Sequence, residues 1–180
     1  MLLRILAFEF RYQLRQPLFW ISSAIFFLLT FAAITTDAVS IGGSIGSVHR
    51  NAPFVIYQII LVNTAIATFL STAFVALSVH RDVELQTDAI FFSLPLKKRD
   101  YLFGRFLGAL LLSLLVFVGV ALAIAIGGKM PWLEAERVGP FLLMPYVKAF
   151  LAFVLPNLFL TGAIFFSLAV LTRSLLWTYV

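Results

Sequence analysis

The sequence predicts an all-α integral membrane protein: an interfacial elbow helix, four transmembrane helices and the start of a fifth. Three observations predict it. Of the 180 residues, 62% are apolar and only 12% charged, with a mean hydropathy of +1.06, far from the half-apolar, quarter-charged mix of soluble domains. Thirteen basic and eight acidic residues are too few to clothe a soluble domain of this size. Finally, four uncharged runs each approach or exceed the roughly 20 apolar residues that a helix needs to cross a hydrocarbon core.

Those runs are residues 18–36, 54–79, 106–128 and 149–172, and each is read as a transmembrane helix. Pro17 and Pro53 stand where a helix opens, since the first turn needs no donor from proline. Trp20, Tyr57, Trp132 and Tyr146 fall at the run ends, as interfacial aromatics do. The first run is too long for a signal-peptide core and lacks a small-residue cleavage site. Ahead of it, residues 1–15 are too polar to span. Leu3, Ala7, Phe10 and Leu14 recur on one helical face and Arg4, Arg11 and Arg15 on another, the pattern of an elbow helix lying in the interface.

Lysine and arginine set the orientation. With the N-terminus in the cytoplasm, Arg4, Arg11, Arg15, Arg81, Lys97, Lys98, Arg99, Arg105 and Arg173 lie inside, while Arg50, Lys129, Arg137 and Lys148 lie outside. The basic residues sit between apolar runs and form no stripe with interleaved aromatics, so the formal charge of +5 reflects topology and excludes nucleic acid as a partner. Membrane lipid is the expected surrounding.

The loop between the second and third runs carries the most information. Residues 81–95 read as an amphipathic cytoplasmic helix. Leu85, Ala89 and Phe92 share a face, Asp82 and Glu84 sit near the N-terminal end, Arg81 opens the segment and Pro95 ends it. Such a helix fits a groove on a cytoplasmic partner.

The order of parts resembles an ABC-2 type transporter permease. The resemblance is carried by Arg81-Asp82-x-Glu84, then Ser93-x-Pro95, then Asp100-Tyr101-Leu102-x-Gly104-Arg105-Phe106-Leu107-Gly108. Phe8 to Leu14, Met130-Pro131-Trp132-Leu133, Leu155-Pro156-Asn157 and Leu171 to Ser174 look like the N-terminal part of bacterial permeases that carry an aminopeptidase-like domain downstream. The resemblance implies that residues 81–95 couple to a cytoplasmic ATP-binding-cassette ATPase. It also implies a second permease half, homo- or heterodimeric, a multi-pass place in the bacterial inner membrane, and ATP bound by the partner with no cofactor in this chain. Residues 1–180 then form a single transmembrane permease domain, and the apolar turn after Arg173 reads as a fifth helix cut short in a piece of a longer protein.

Catalytic motifs are absent from the sequence. Neither the glycines of 42–46 nor Gly104 and Gly108 belong to a phosphate-binding Gly-x4-Gly-Lys-Ser/Thr loop. His49 and His80 fall on opposite sides of the membrane and build neither a His-Glu-x-x-His zinc site nor a serine triad. No enzyme activity is expected. Gly104 and Gly108 are expected to let helices approach closely. Asn63 and Asn157, polar within spans, are expected to find partners inside the bundle, and Pro156 to kink the fourth helix. With no charge deep in the spans, the energy source is expected to be external. The rival reading is a non-transporting membrane anchor or assembly module for a downstream soluble domain.

Overall fold

In the computed structural model the described residues are 1–37, 39, 49–84 and 97–172. Among them the structure is helical, with no strand. Helix α1 (Leu2–Leu14) ends in a tightened turn, Arg15 N–H donating to Tyr12 O at 3.1 Å and Gln16 N–H to Gln13 O at 3.0 Å. Pro17 disfavours helical backbone at Gln16 yet suits the first position of the next helix. The chain therefore breaks here and restarts as α2 (Pro17–Thr35).

Helix α3 (Pro53–Glu84) and helix α4 (Lys98–Gly127) follow. At 1.5 Å per residue their lengths are about 48 and 45 Å, well beyond a hydrocarbon core of about 30 Å. The second run, expected over 54–79, is thus longer at its polar end, and the third, expected from Phe106, begins eight residues earlier. Charged residues bound the apolar run but do not end the helix, because a helix leaving the hydrocarbon meets water with its backbone bonds already made. Residues 81–84 consequently continue α3 and do not open a separate helix; the rest of the expected coupling helix, with Leu85, Ala89, Phe92 and Pro95, lies outside the described residues, as does the expected start of a fifth span after Thr172.

After a single 3₁₀ turn (Ala135–Arg137) come α5 (Leu143–Ala149), a π-helical segment (Phe150–Val154) and α6 (Leu155–Thr172). This stretch is apolar and long enough to be one span from Leu143, six residues ahead of the expected start at Ala149. The expected disturbance at Pro156 takes the form of the π segment just before it. Proline lacks the N–H that would bond four residues back and its ring crowds that carbonyl, and widening the preceding turn accommodates both.

Among the described residues, four helical stretches are long and apolar enough to cross a membrane: Pro17–Thr35, Pro53–Val75, Lys98–Gly127 and Leu143–Thr172. Large apolar side chains stand exposed along them, including Ile25, Leu61, Phe69, Leu122, Leu151 and Leu160. In water that surface would drive aggregation, whereas acyl chains solvate it at no cost.

The chain divides into two compact units, each taking segments of all four spans. Unit 1 comprises Met1–Phe19, Ala67–Ser113 and Leu158–Val180. Its core includes Phe74, Val75, Phe106, Leu112 and Leu158. The Phe106 ring meets Phe159 edge-on at 5.7 Å and Phe166 at 5.5 Å. Unit 2 comprises Trp20–Ile66 and Leu114–Asn157, with a core that includes Ile34, Ile56, Ile60, Val120 and Ile124. There Phe26 lies 6.4 Å from Phe117, and Tyr57 meets Phe153 edge-on at 6.0 Å.

Candidate functional site

The side chains of unit 1 with the most at stake are a carboxylate and two guanidiniums. Glu9, on α1, is fully buried. It accepts from Arg81 Nη2 of α3 at 2.9 Å and from Arg105 Nη1 of α4, both on Oε2, while Gln13 Nε2 donates to Oε1 at 2.6 Å. Arg105 is 2% exposed. One acidic residue thereby ties the elbow helix to two spans.

Each partner is held in turn. The Arg81 guanidinium lies over the Tyr12 ring at 4.0 Å and near Phe8 at 5.9 Å, and Phe8 and Tyr12 stack on each other at 6.2 Å. Arg105 sits 5.4 Å from the Tyr101 ring one turn earlier. Planar guanidiniums can stack on aromatic faces while their forked N–H groups reach a carboxylate, which lysine cannot reproduce. Burial pushes the Glu9 carboxyl above its ordinary range, while the Arg81 charge and the Gln13 amide draw it back. In a poorly solvated site, paired opposite charge and hydrogen bonds are what keep a buried carboxylate ionised.

Two glycines admit the elbow helix to this position. A Cβ at Gly108 would lie 2.8 Å from Glu9 Cβ, and one at Gly104 would lie 2.9 Å from Ile5 Cβ. The Gly-x-x-x-Gly spacing thus forms a flat strip on α4, and what lies on it is α1. The face of α1 turned inward runs through Leu2, Ile5, Leu6, Glu9 and Gln13. Of the apolar face expected from the sequence, Leu3 is 76% exposed and Ala7 is exposed, whereas Phe10 and Leu14 are partly buried.

The polar residues expected to find partners within the spans lie in unit 2. Asn63 is fully buried; its Nδ2 donates to Ile59 O at 2.9 Å and, on the neighbouring helix α2, to Thr30 Oγ1 at 3.4 Å. Asn157 Nδ2 donates to Thr64 O of α3 at 3.3 Å. Both amides join one helix to another.

A family model described as ABC-2 family transporter protein matches residues 3–176. The chain belongs to that family. Neither the curated proteins nor the solved structures return a match. As an ABC-2 family member the chain is a membrane permease component of an ABC transporter, and its buried cluster lies within the matched region.

Of the residues singled out from the permease sequence, the structure brings together Arg81, Gly104 and Gly108 around α1. Asp82 and Glu84 belong to the last turn of α3. Glu9 and Arg105 escaped sequence reasoning as a pair. The available signal was spacing: Glu9 and Gln13, one turn apart, share a stripe with Leu2, Ile5 and Leu6, so the stripe was apolar with two polar members.

A second ionic cluster of this permease lies in unit 2. Arg50 donates through Nη1 to Ile34 O at 2.8 Å and Thr36 O at 3.2 Å, and through Nη2 to Asp37 Oδ1. These are the terminal carbonyls of α2, where a cation also complements the helix dipole. Arg137 reaches Asp37 Oδ2 at 3.1 Å. Asn51 clamps Gly139 in both directions, Nδ2 to the carbonyl at 2.6 Å and the glycine N–H to Oδ1 at 2.7 Å. Replacing the buried Arg50 by alanine is expected to cost about 1–3 kcal/mol, whereas Arg137→Ala, at a half-exposed ion pair, is expected to cost under about 1 kcal/mol. Unfolding in mixed micelles of dodecyl sulfate and mild detergent checks the pair; equal costs would mean that Arg50 does not cap α2.

Proposed function

We propose that this chain is the membrane-spanning subunit that couples ATP hydrolysis, carried out by a separate cytoplasmic ATP-binding-cassette ATPase, to movement of a substrate across the membrane. The family match over residues 3–176 carries the reading. Charge distribution supports the orientation: nine of the thirteen basic residues fall in unit 1, including Arg4, Arg11, Arg15 and Lys97–Arg99. By the tendency of basic residues to stay inside, unit 1 faces the cytoplasm in a bacterial inner membrane.

On this reading the sequence after α3, through Leu85, Ala89, Phe92 and Pro95, is the ATPase-coupling segment, with Arg81, Asp82 and Glu84 at its root. Motion of the ATPase passes through it into α3 and α4, and the Glu9 cluster carries it on to the elbow helix. ATP is bound by the partner, no cofactor is held in this chain, and a second permease half completes the pathway.

Affinity purification in mild detergent, with the intact mass of the complex and of each component read by mass spectrometry, tests the proposal. An ATPase and a second permease half are expected at fixed stoichiometry. Phe92→Asp is expected to weaken ATPase association by about tenfold or more, the loss of one apolar anchor. Retention of the ATPase by Phe92→Asp together with Leu85→Asp would remove the coupling role from this segment. A full-length preparation with no ATPase partner would favour a membrane anchor for a soluble domain.

A further inference from the structure

We propose that residues 141–149 leave the hydrocarbon at the π segment and lie along the lipid headgroups as an interfacial anchor. The occupant of their apolar face is the phospholipid surface, and the inference does not depend on ATPase coupling.

Length gives the first argument. The helical stretch Leu143–Thr172 has 30 residues, about 45 Å at 1.5 Å per residue, against a hydrocarbon core of about 30 Å. Kept straight, it fits that core only at a tilt of about 48°, outside the range of about 0–40° in which spans are found. Arg173 follows the stretch, and Phe153 lies roughly 20 residues back from Thr172, the length that crosses the core. Phe153 is inside the π segment Phe150–Val154, and a π turn is one of the few places where a helix changes direction.

The side chains beyond that turn give the second argument. Phe141, Leu142, Leu143 and Met144 are consecutive, apolar and exposed, where a segment standing in water would be polar. On α5, Leu143, Met144 and Val147 are 65%, 61% and 44% exposed and share an arc of about 100°. Pro145, Tyr146 and Ala149, which are buried, occupy the opposite side. Lys148 is exposed and stands about 40° past the edge of the apolar arc. A helix that packs one side on the protein, turns an apolar face outward and borders it with a cation has the pattern of an interfacial helix, its lysine reaching the phosphates. The preceding connection fits the same surroundings: Trp132 is exposed, and Lys129 Nζ lies 5.6 Å from the centre of the Phe141 ring, aromatics and cations being the usual company of headgroups. A soluble partner would cover the apolar face but leave the excess length unanswered, whereas the headgroup layer answers both.

The chain has no cysteine, so single cysteines can carry a fluorophore whose depth is read in phospholipid vesicles by brominated lipids, with iodide as the aqueous quencher. The purified full chain is labelled at Leu143→Cys or Val147→Cys, both exposed positions, and at Glu136→Cys, an exposed position that serves as the aqueous reference. The labels at 143 and 147 are expected at the same depth, about 5–10 Å into the headgroup and acyl boundary, and shielded from iodide relative to the label at 136. A straight, tilted span would set the label at 147 about 4 Å deeper than the label at 143, which would overturn the bend. Iodide quenching at 143 and 147 as strong as at 136 would overturn the interfacial seat and leave the apolar face to a protein partner.

Discussion

Glu9→Ala is expected to destabilise the protein by about 3–5 kcal/mol, the cost of breaking a buried ion pair by removing one partner. The size follows from what is left behind. Glu9 is fully buried and Arg105 is 2% exposed, so the substitution takes a carboxylate from a guanidinium where water has poor access, and it frees Gln13 Nε2 from its 2.6 Å bond. Arg81 suffers less, because its side chain is 14% exposed against 3% for Arg105. Arg81→Ala is therefore expected to cost less than Arg105→Ala. The discriminating variant is the double replacement Glu9→Leu with Arg105→Met, which removes both charges and keeps much of the volume. It is expected to be more stable than Glu9→Ala, since replacing both members of a buried pair by apolar groups is often neutral. Unfolding of purified variants in mixed micelles reads all four. If Glu9→Ala unfolds like wild type, the cluster does not hold the elbow helix.

The four spans were legible because a membrane span needs only a long uncharged run, which composition records directly. Their ends were less legible. The run before Arg81 and the run after Arg105 mark where charge begins, yet α3 continues to Glu84 and α4 begins at Lys98, because a helix outlasts the hydrocarbon that surrounds its middle. The Glu9 cluster was hidden for a different reason. Its ion-pair partners lie 72 and 96 residues away in sequence, and a glutamate on an amphipathic interfacial helix has the same local pattern whether it faces water or two arginines. The Gly104 and Gly108 spacing announced a close approach without naming the helix that approaches. The π segment was similarly half visible: Pro156 marks the place, but whether a helix kinks or widens depends on what surrounds it.

The glycine strip gives the second large effect, because its energetics are linked to those of Glu9. A Cβ at Gly108 would meet Glu9 Cβ at 2.8 Å and Cγ at 2.9 Å, atoms close to the α1 backbone that cannot swing away as a side-chain tip can. Relief requires α1 to lift from α4, and lifting it draws the Glu9 carboxylate away from Arg105. Gly108→Ala is thus expected to destabilise by about 1–3 kcal/mol, the usual cost of overpacking, and Gly104→Ala, which meets Ile5 Cβ and Cγ2 at 2.9 Å, by a similar amount. Gly119 on the same helix supplies the control: among the described residues nothing lies within 4 Å of its Cβ position, so Gly119→Ala is expected to be neutral or to stabilise by up to about 1 kcal/mol through helix propensity. Combining Gly108→Ala with Glu9→Ala is expected to cost less than the two single changes added together, since the first already loosens what the second removes. Additive costs would mean that the strip and the ion cluster hold the elbow helix independently, and equal behaviour of Gly104→Ala, Gly108→Ala and Gly119→Ala would mean that α1 does not rest on α4.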